Sequence, residues 1–204
     1  MYNYLKWIGF AFLVALMACD EDDNVLISKT IAVTFENLPA DPPTGYDPTN
    51  GSPLGITNRF TFFRFSDSSL VAASDSATTK WDIGFRAQDI IVNAGSSGPG
   101  NAAAFIYTGL FDELKEIPAD STFRQDQSGN LAIGRTWYNY DPVAMVLVPK
   151  PGKILVIRTA DNKFVKMEIL SYYKDAPVSP KLTDPARYYT FRYVHQANGT
   201  LKFE

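Results

Sequence analysis

From residue 24 onward the chain alternates apolar and polar positions with a period of two, the rhythm of strands with unlike faces. Residues 25–38 form a first extended stretch, with Ile31, Val33 and Phe35 on one face. Residues 59–65 read as an aromatic strand, Asp67-Ser68-Ser69 as its turn, and residues 70–73 as the segment pairing back. Residues 80–86 place Trp81, Ile83 and Phe85 inward, and residues 90–93 and 102–107 are further strands. The last third is the most regular. Residues 154–159 are a buried-strand run, Asp161-Asn162 is a two-residue turn tolerant of positive φ, and residues 164–173 return. Val165, Met167 and Ile169 share one face of that return, with Lys166 and Glu168 on the other. Residues 188–196 form another strand, and Asn198-Gly199 signals a hairpin before Leu201-Lys202-Phe203.

Helical rhythm is scarce. Only Phe111-Asp112-Glu113-Leu114-Lys115-Glu116 predicts a short helix, ended before Pro118. Pro, Gly and Asp make residues 41–55 a surface loop. The Gly-rich residues 95–101 read as a flexible connector, because neither a Gly-Lys-Ser/Thr sequence nor a dinucleotide-type glycine spacing is present. The expected fold is all-β, an antiparallel sandwich-like domain over residues 25–204 with little helix. No fixed-period repeat supports a propeller or solenoid.

Residues 1–18 follow a different rule. Lys6 precedes an apolar run from Trp7 to Ala18, short for a membrane span but of signal-peptide length. The run closes on Leu16-Met17-Ala18-Cys19, which resembles a bacterial lipobox with Cys19 as the lipidated residue; Met17 departs from the usual small residue. Asp20, Glu21, Asp22 and Asp23 follow, and four adjacent like charges stay extended, so residues 19–24 are expected to be a solvated tether. The acidic run resembles the export signal of Bacteroidetes surface lipoproteins, which implies a lipid-anchored protein on the outer face of the outer membrane. A plain cleaved signal followed by a solubilising spacer is the alternative.

Charge and composition then narrow the chemistry. The 204-residue chain is 46% hydrophobic and 20% charged, so it can bury a core. With Lys6 and the four tether acids set aside, 18 basic and 18 acidic residues remain, so the body is neutral and offers no broad basic field for nucleic acid. One Cys and one His exclude a Cys/His zinc cluster, a Cys/His dyad and an internal disulfide. No nucleophile elbow, zincin helix or calcium loop occurs, and a single His leaves one possible base for a triad. A binding protein is expected rather than an enzyme.

Several segments together resemble one family: Lys80-Trp81-Asp82-Ile83-Gly84-Phe85-Arg86, the stretch from Asn93 to Gly100, Trp137-Tyr138-Asn139-Tyr140, residues 156–166, and Tyr188-Tyr189-Thr190-Phe191-Arg192-Tyr193. In order and spacing they are similar to the HmuY-like family of Bacteroidetes lipoproteins, over roughly residues 25–204. The resemblance implies an all-β domain on a lipid anchor that binds haem and passes it to a TonB-dependent outer-membrane receptor. In that family the segment holding Met145 bears one iron ligand. The other comes from ahead of Trp137-Tyr138, where residues 108–136 here contain no His, Met or Tyr. Haem iron takes His, Met, Cys or Tyr side chains. Met145 is therefore the first ligand candidate and His195 the second, while Met167 reads as core. The second axial group is unassigned. The competing reading is a glycan-binding or adhesive surface β domain without haem, its Trp-Tyr segments stacking on sugar rings.

Overall fold

A computed structural model describes residues 30–203. The lipidation candidate Cys19 and the export-signal candidates Asp20, Glu21, Asp22 and Asp23 lie outside the described residues. Thirteen strands are present among the described residues. The first seven are β1 (Val33–Pro39), β2 (Gly45–Tyr46), β3 (Pro53–Leu54), β4 (Thr61–Arg64), β5 (Ser69–Val71), β6 (Ile83–Arg86) and β7 (Asp89–Val92). The rest are β8 (Ala103–Thr108), β9 (Tyr138–Asp141), β10 (Val146–Pro149), β11 (Lys153–Arg158), β12 (Phe164–Tyr173) and β13 (Ala186–Gln196). Five form one antiparallel sheet in the order β1-β13-β12-β11-β8, and four form a second, β5-β4-β6-β7. β9–β10 and β2–β3 are separate two-stranded ladders.

The two large sheets pack face to face because their alternating strands offer apolar side chains to a common interior. Phe63, Ile83, Phe85 and Val92 from one sheet meet Leu155, Val165, Met167 and Phe191 from the other. Phe63 sits edge-on to Phe191, centroids 5.4 Å apart, and Phe85 stacks on Phe191 at 5.6 Å. Met167 is fully buried here, as its place between Val165 and Ile169 predicts. The all-β, sandwich-like architecture expected from the alternation is the one observed.

Buried carboxylates tie the layers. Asp82 accepts from the Phe65 N–H at 2.9 Å and from the Ala160 N–H at 3.0 Å, joining the second sheet to the β11–β12 turn. Burial raises the Asp82 carboxyl above the usual aspartate range, although both N–H groups pull the other way. Asp126 accepts from Val92 N–H at 2.9 Å and Ala132 N–H at 2.8 Å.

Five sequence expectations change. Residues 111–116 form turns rather than a helix. Phe111 and Leu114 are buried against the outer face of the five-stranded sheet, and their carbonyls accept hydrogen bonds from Lys166 Nζ, each at 2.8 Å. The Phe111 carbonyl, which a helix would have paired with the Lys115 N–H, is thereby taken. Burial lowers the Lys166 ammonium below the ordinary lysine value. Trp81 is buried, but it packs with Phe62 and Ile91 outside the sandwich interior, since β6 begins only at Ile83. The Gly-rich residues are held rather than free: Asn93 accepts from the Gly100 N–H at 3.1 Å and donates to the Trp81 carbonyl at 2.7 Å. After Gly199 the chain forms no hairpin with β13. It crosses to residues 115–117, where Phe203 N–H donates to Lys115 and Ile117 N–H to Leu201. Among the described residues the first strand begins at Val33, and Ile31, expected on it, is 77% exposed. Thr30 meets the tail, its hydroxyl donating to the Phe203 carbonyl at 2.6 Å.

Candidate functional site

Met145 ends the turn of the β9–β10 hairpin, with φ at 55°, and is 50% exposed. The Asp141 carboxylate accepts the Val143 and Ala144 N–H groups at 2.8 and 3.1 Å, which fixes the turn. Met145 is thus a half-exposed turn residue rather than a strand residue. The hairpin rests on an aromatic base. Trp137 contacts Tyr172 and Tyr189 with centroids 5.6 and 5.1 Å away, and its indole N–H donates to the Gln88 carbonyl at 3.0 Å. The Leu147 N–H donates to the Tyr173 hydroxyl at 2.8 Å, pinning β10 to the end of β12.

That end of the sheet opens into a hollow of about 410 Å³ between residues 42–46 and 182–188. Ala186, which pairs with Tyr173 in the β12–β13 ladder, lines it together with Tyr46, Leu182 and Tyr188. Burial raises the Tyr173 phenol above its ordinary value, and the nearby Asp184, Tyr140 and Tyr46 push in the same direction. Hairpin and hollow therefore share one end of the sandwich. Apolar surface is left uncovered there: Tyr46 is 59% exposed, Tyr140 56% and Leu182 60%. Exposed apolar side chains beside a hollow are the usual mark of a ligand or partner surface. Sequence reading placed Tyr46 in a loop and named Tyr140 and Tyr188 only within the segments that carry the family resemblance, because the hollow joins residues 42–46 to residues 182–188, far apart along the chain.

His195 lies elsewhere. It is half-buried on β13 opposite Val165. Val165 and Tyr173 are eight residues apart on β12, about 26 Å of strand. Met145 and His195 thus occupy opposite ends of the sheet and do not face one iron. Burial lowers the His195 imidazole below its ordinary 6.5, and Lys163 adds to this while Asp161 opposes it. Above pH 6.5 His195 is neutral folded or unfolded, and its contribution is unchanged. As pH falls through 6.5 the unfolded chain takes up the proton first, so stability is lost until the folded pKa is passed. Urea midpoints measured across this range should fall in the native chain and fall less in His195→Gln.

Among the described residues no group of three or more His, Cys, Asp or Glu is arranged to hold a metal ion, and no helix is long and apolar enough to cross a membrane.

No family model and no curated protein matches the chain. Solved structures do. A Bacteroides fragilis protein assigned as a lipoprotein aligns with a TM-score of 0.51 at 16% identity, covering 81% of this chain and 94% of that one. A Bacteroides vulgatus protein assigned as HmuY-like and haem-binding gives 0.49 at 18% identity, covering 81% and 92%. The apo HmuY analog of Tannerella forsythia gives 0.47 at 12%, covering 82% and 95%. At these identities the likeness is one of fold, and the Bacteroides fragilis structure carries it.

Proposed function

We propose that this chain is a surface lipoprotein that captures haem or a related porphyrin, with Met145 offering a thioether to the iron. The observation that carries the reading is the exposed Met145 on a pinned hairpin at the same end of the sandwich as the Tyr46–Tyr188 hollow. A half-exposed methionine at the same end as an apolar-walled hollow is suited to a flat hydrophobic ring whose iron accepts soft ligands. The neighbours described as HmuY-like and haem-binding point to the same ligand. The work is capture rather than catalysis, and release to a TonB-dependent outer-membrane receptor would complete it. Lipid on Cys19 and the Asp20–Asp23 run would hold residues 25–204 at the cell surface as one domain, in keeping with a lipoprotein assignment among the neighbours. His195 is kept as the ligand of a one-sided site at the other end, should Met145 prove silent.

Haemin titration followed by visible absorption tests this. The native chain should shift and sharpen the Soret band, oxidised and reduced. Met145→Ala should weaken binding by about tenfold and remove the thioether-ligated spectrum. An unchanged spectrum at micromolar haemin would overturn the proposal and favour the glycan-binding or adhesive reading.

A further inference from the structure

A second hollow, of about 500 Å³, lies away from the hairpin, beside β4 and the 3-10 turn Ala73–Asp75. Phe60 and Phe62 line its apolar side, ring centroids 6.4 Å apart and inclined by 27°. Asn58, Arg59, Ser74 and Ser76 line its polar side. Phe62 is backed by Trp81 at 4.4 Å, so the apolar side is anchored in a packed cluster.

The polar side is equally well held. The Asp41 carboxylate accepts the Thr57 and Asn58 N–H groups at 2.7 and 2.8 Å, fixing the segment that presents Asn58 and Arg59. Arg86 lies 4.3 Å above the Phe60 ring, and its Nη1 donates to the Asn58 carbonyl at 3.4 Å. The acids nearby are already paired. Asp75 meets Lys80 at 2.9 Å, and Asp89 is gripped by Arg135 at 2.7 and 3.1 Å. Among the described residues no carboxylate pairs with Arg59, and the side chains of Asn58, Ser74 and Ser76 make no hydrogen bond. The hollow therefore combines an aromatic step, an amide, two hydroxyls and a guanidinium, in a field left positive.

We infer that this hollow is a subsite for an acidic sugar, a pyranose bearing a carboxylate. The C–H face of such a ring lies on the Phe60–Phe62 step. Its hydroxyls meet Asn58, Ser74 and Ser76, and its carboxylate meets the planar Arg59 fork. A neutral sugar would leave Arg59 without its partner. The inference is independent of the haem proposal, because none of these residues lines the Tyr46–Tyr188 hollow.

Saturation-transfer NMR and calorimetry on the full chain in mild detergent test it, with tetragalacturonate as the probe and its methyl ester as the uncharged comparison. The acid should bind and the ester about tenfold more weakly. Arg59→Ala should erase that difference. Phe60→Ala should abolish binding of both, and Ala73→Trp, an exposed rim position, should do so by filling the hollow without touching the core. Haemin titration of Ala73→Trp should match the native chain. Equal binding of acid and ester, no binding of either, retained binding in Ala73→Trp, or an altered haemin titration in that variant would overturn the inference. Since the haemin readout belongs to the other hollow, failure of one site is read separately from failure of the other.

Discussion

Replacing Asp82 with Ala should cost about 4 kcal/mol of folding stability, a large share of the roughly 5–15 kcal/mol that holds a domain of this kind together. The Asp82 side chain is buried and spends both oxygens on backbone donors, Phe65 N–H and Ala160 N–H. Alanine removes both acceptors and admits no ready substitute, so two donors are left dry at about 1–3 kcal/mol each. Those donors follow strands of different sheets, Phe65 directly after β4 and Ala160 in the β11–β12 turn, and the loss should therefore loosen the sandwich rather than one strand. Asp82→Asn keeps one acceptor but turns an NH₂ toward the other donor, so about half the penalty should remain. Denaturant melts of the three proteins check the order. A melt of Asp82→Ala within about 1 kcal/mol of the native chain would show that the tie contributes little.

Gly95→Ala should be nearly as damaging, at about 3 kcal/mol. Gly95 has φ at 61°, a conformation that costs an L-residue about 1–2 kcal/mol. An added Cβ would also lie 2.0 Å from the Asp126 carbonyl oxygen. That oxygen cannot retreat easily. It accepts the Ser96 N–H at 2.9 Å, and the Asp126 side chain is bonded to Val92 and Ala132. Overpacking against fixed backbone adds about 1–3 kcal/mol. Gly51→Ala is the comparison: φ is 69° but nothing lies within 4 Å of the new methyl, so only the conformational part should appear. Equal losses at Gly95 and Gly51 would remove the close approach as a cause.

The strands legible in the sequence are those whose two faces both meet their natural surroundings. β11 and β12 were readable to within a residue or two because Val165, Met167 and Ile169 point into one core while Lys166 and Glu168 point to the other face. Lys166 shows where that reading stops. Its position on the strand follows from alternation, yet its burial and its grip on the Phe111 and Leu114 carbonyls depend on residues more than fifty positions away. The same distance hid the site. Met145 stands out as one of few soft ligands, but its turn geometry comes from Asp141, and its neighbours at that end, Tyr46, Tyr173 and Tyr188, come from three other segments. Trp81 failed for a local reason: period-two counting assumes an unbroken strand, and the pleat starts two residues later.

The junction of Thr30 with Phe203 gives the domain a direction. From that junction β1 runs about 20 Å, from Val33 opposite Tyr193 to Pro39 opposite Tyr188, and delivers the chain to the residues bordering the Tyr46–Tyr188 hollow. With the proposed lipid at Cys19, β1 would act as a mast, its foot toward the bilayer and the hollow at the masthead. Cargo would be loaded and unloaded at the membrane-distal pole, so a receptor would have to reach over the domain rather than approach along the lipid surface.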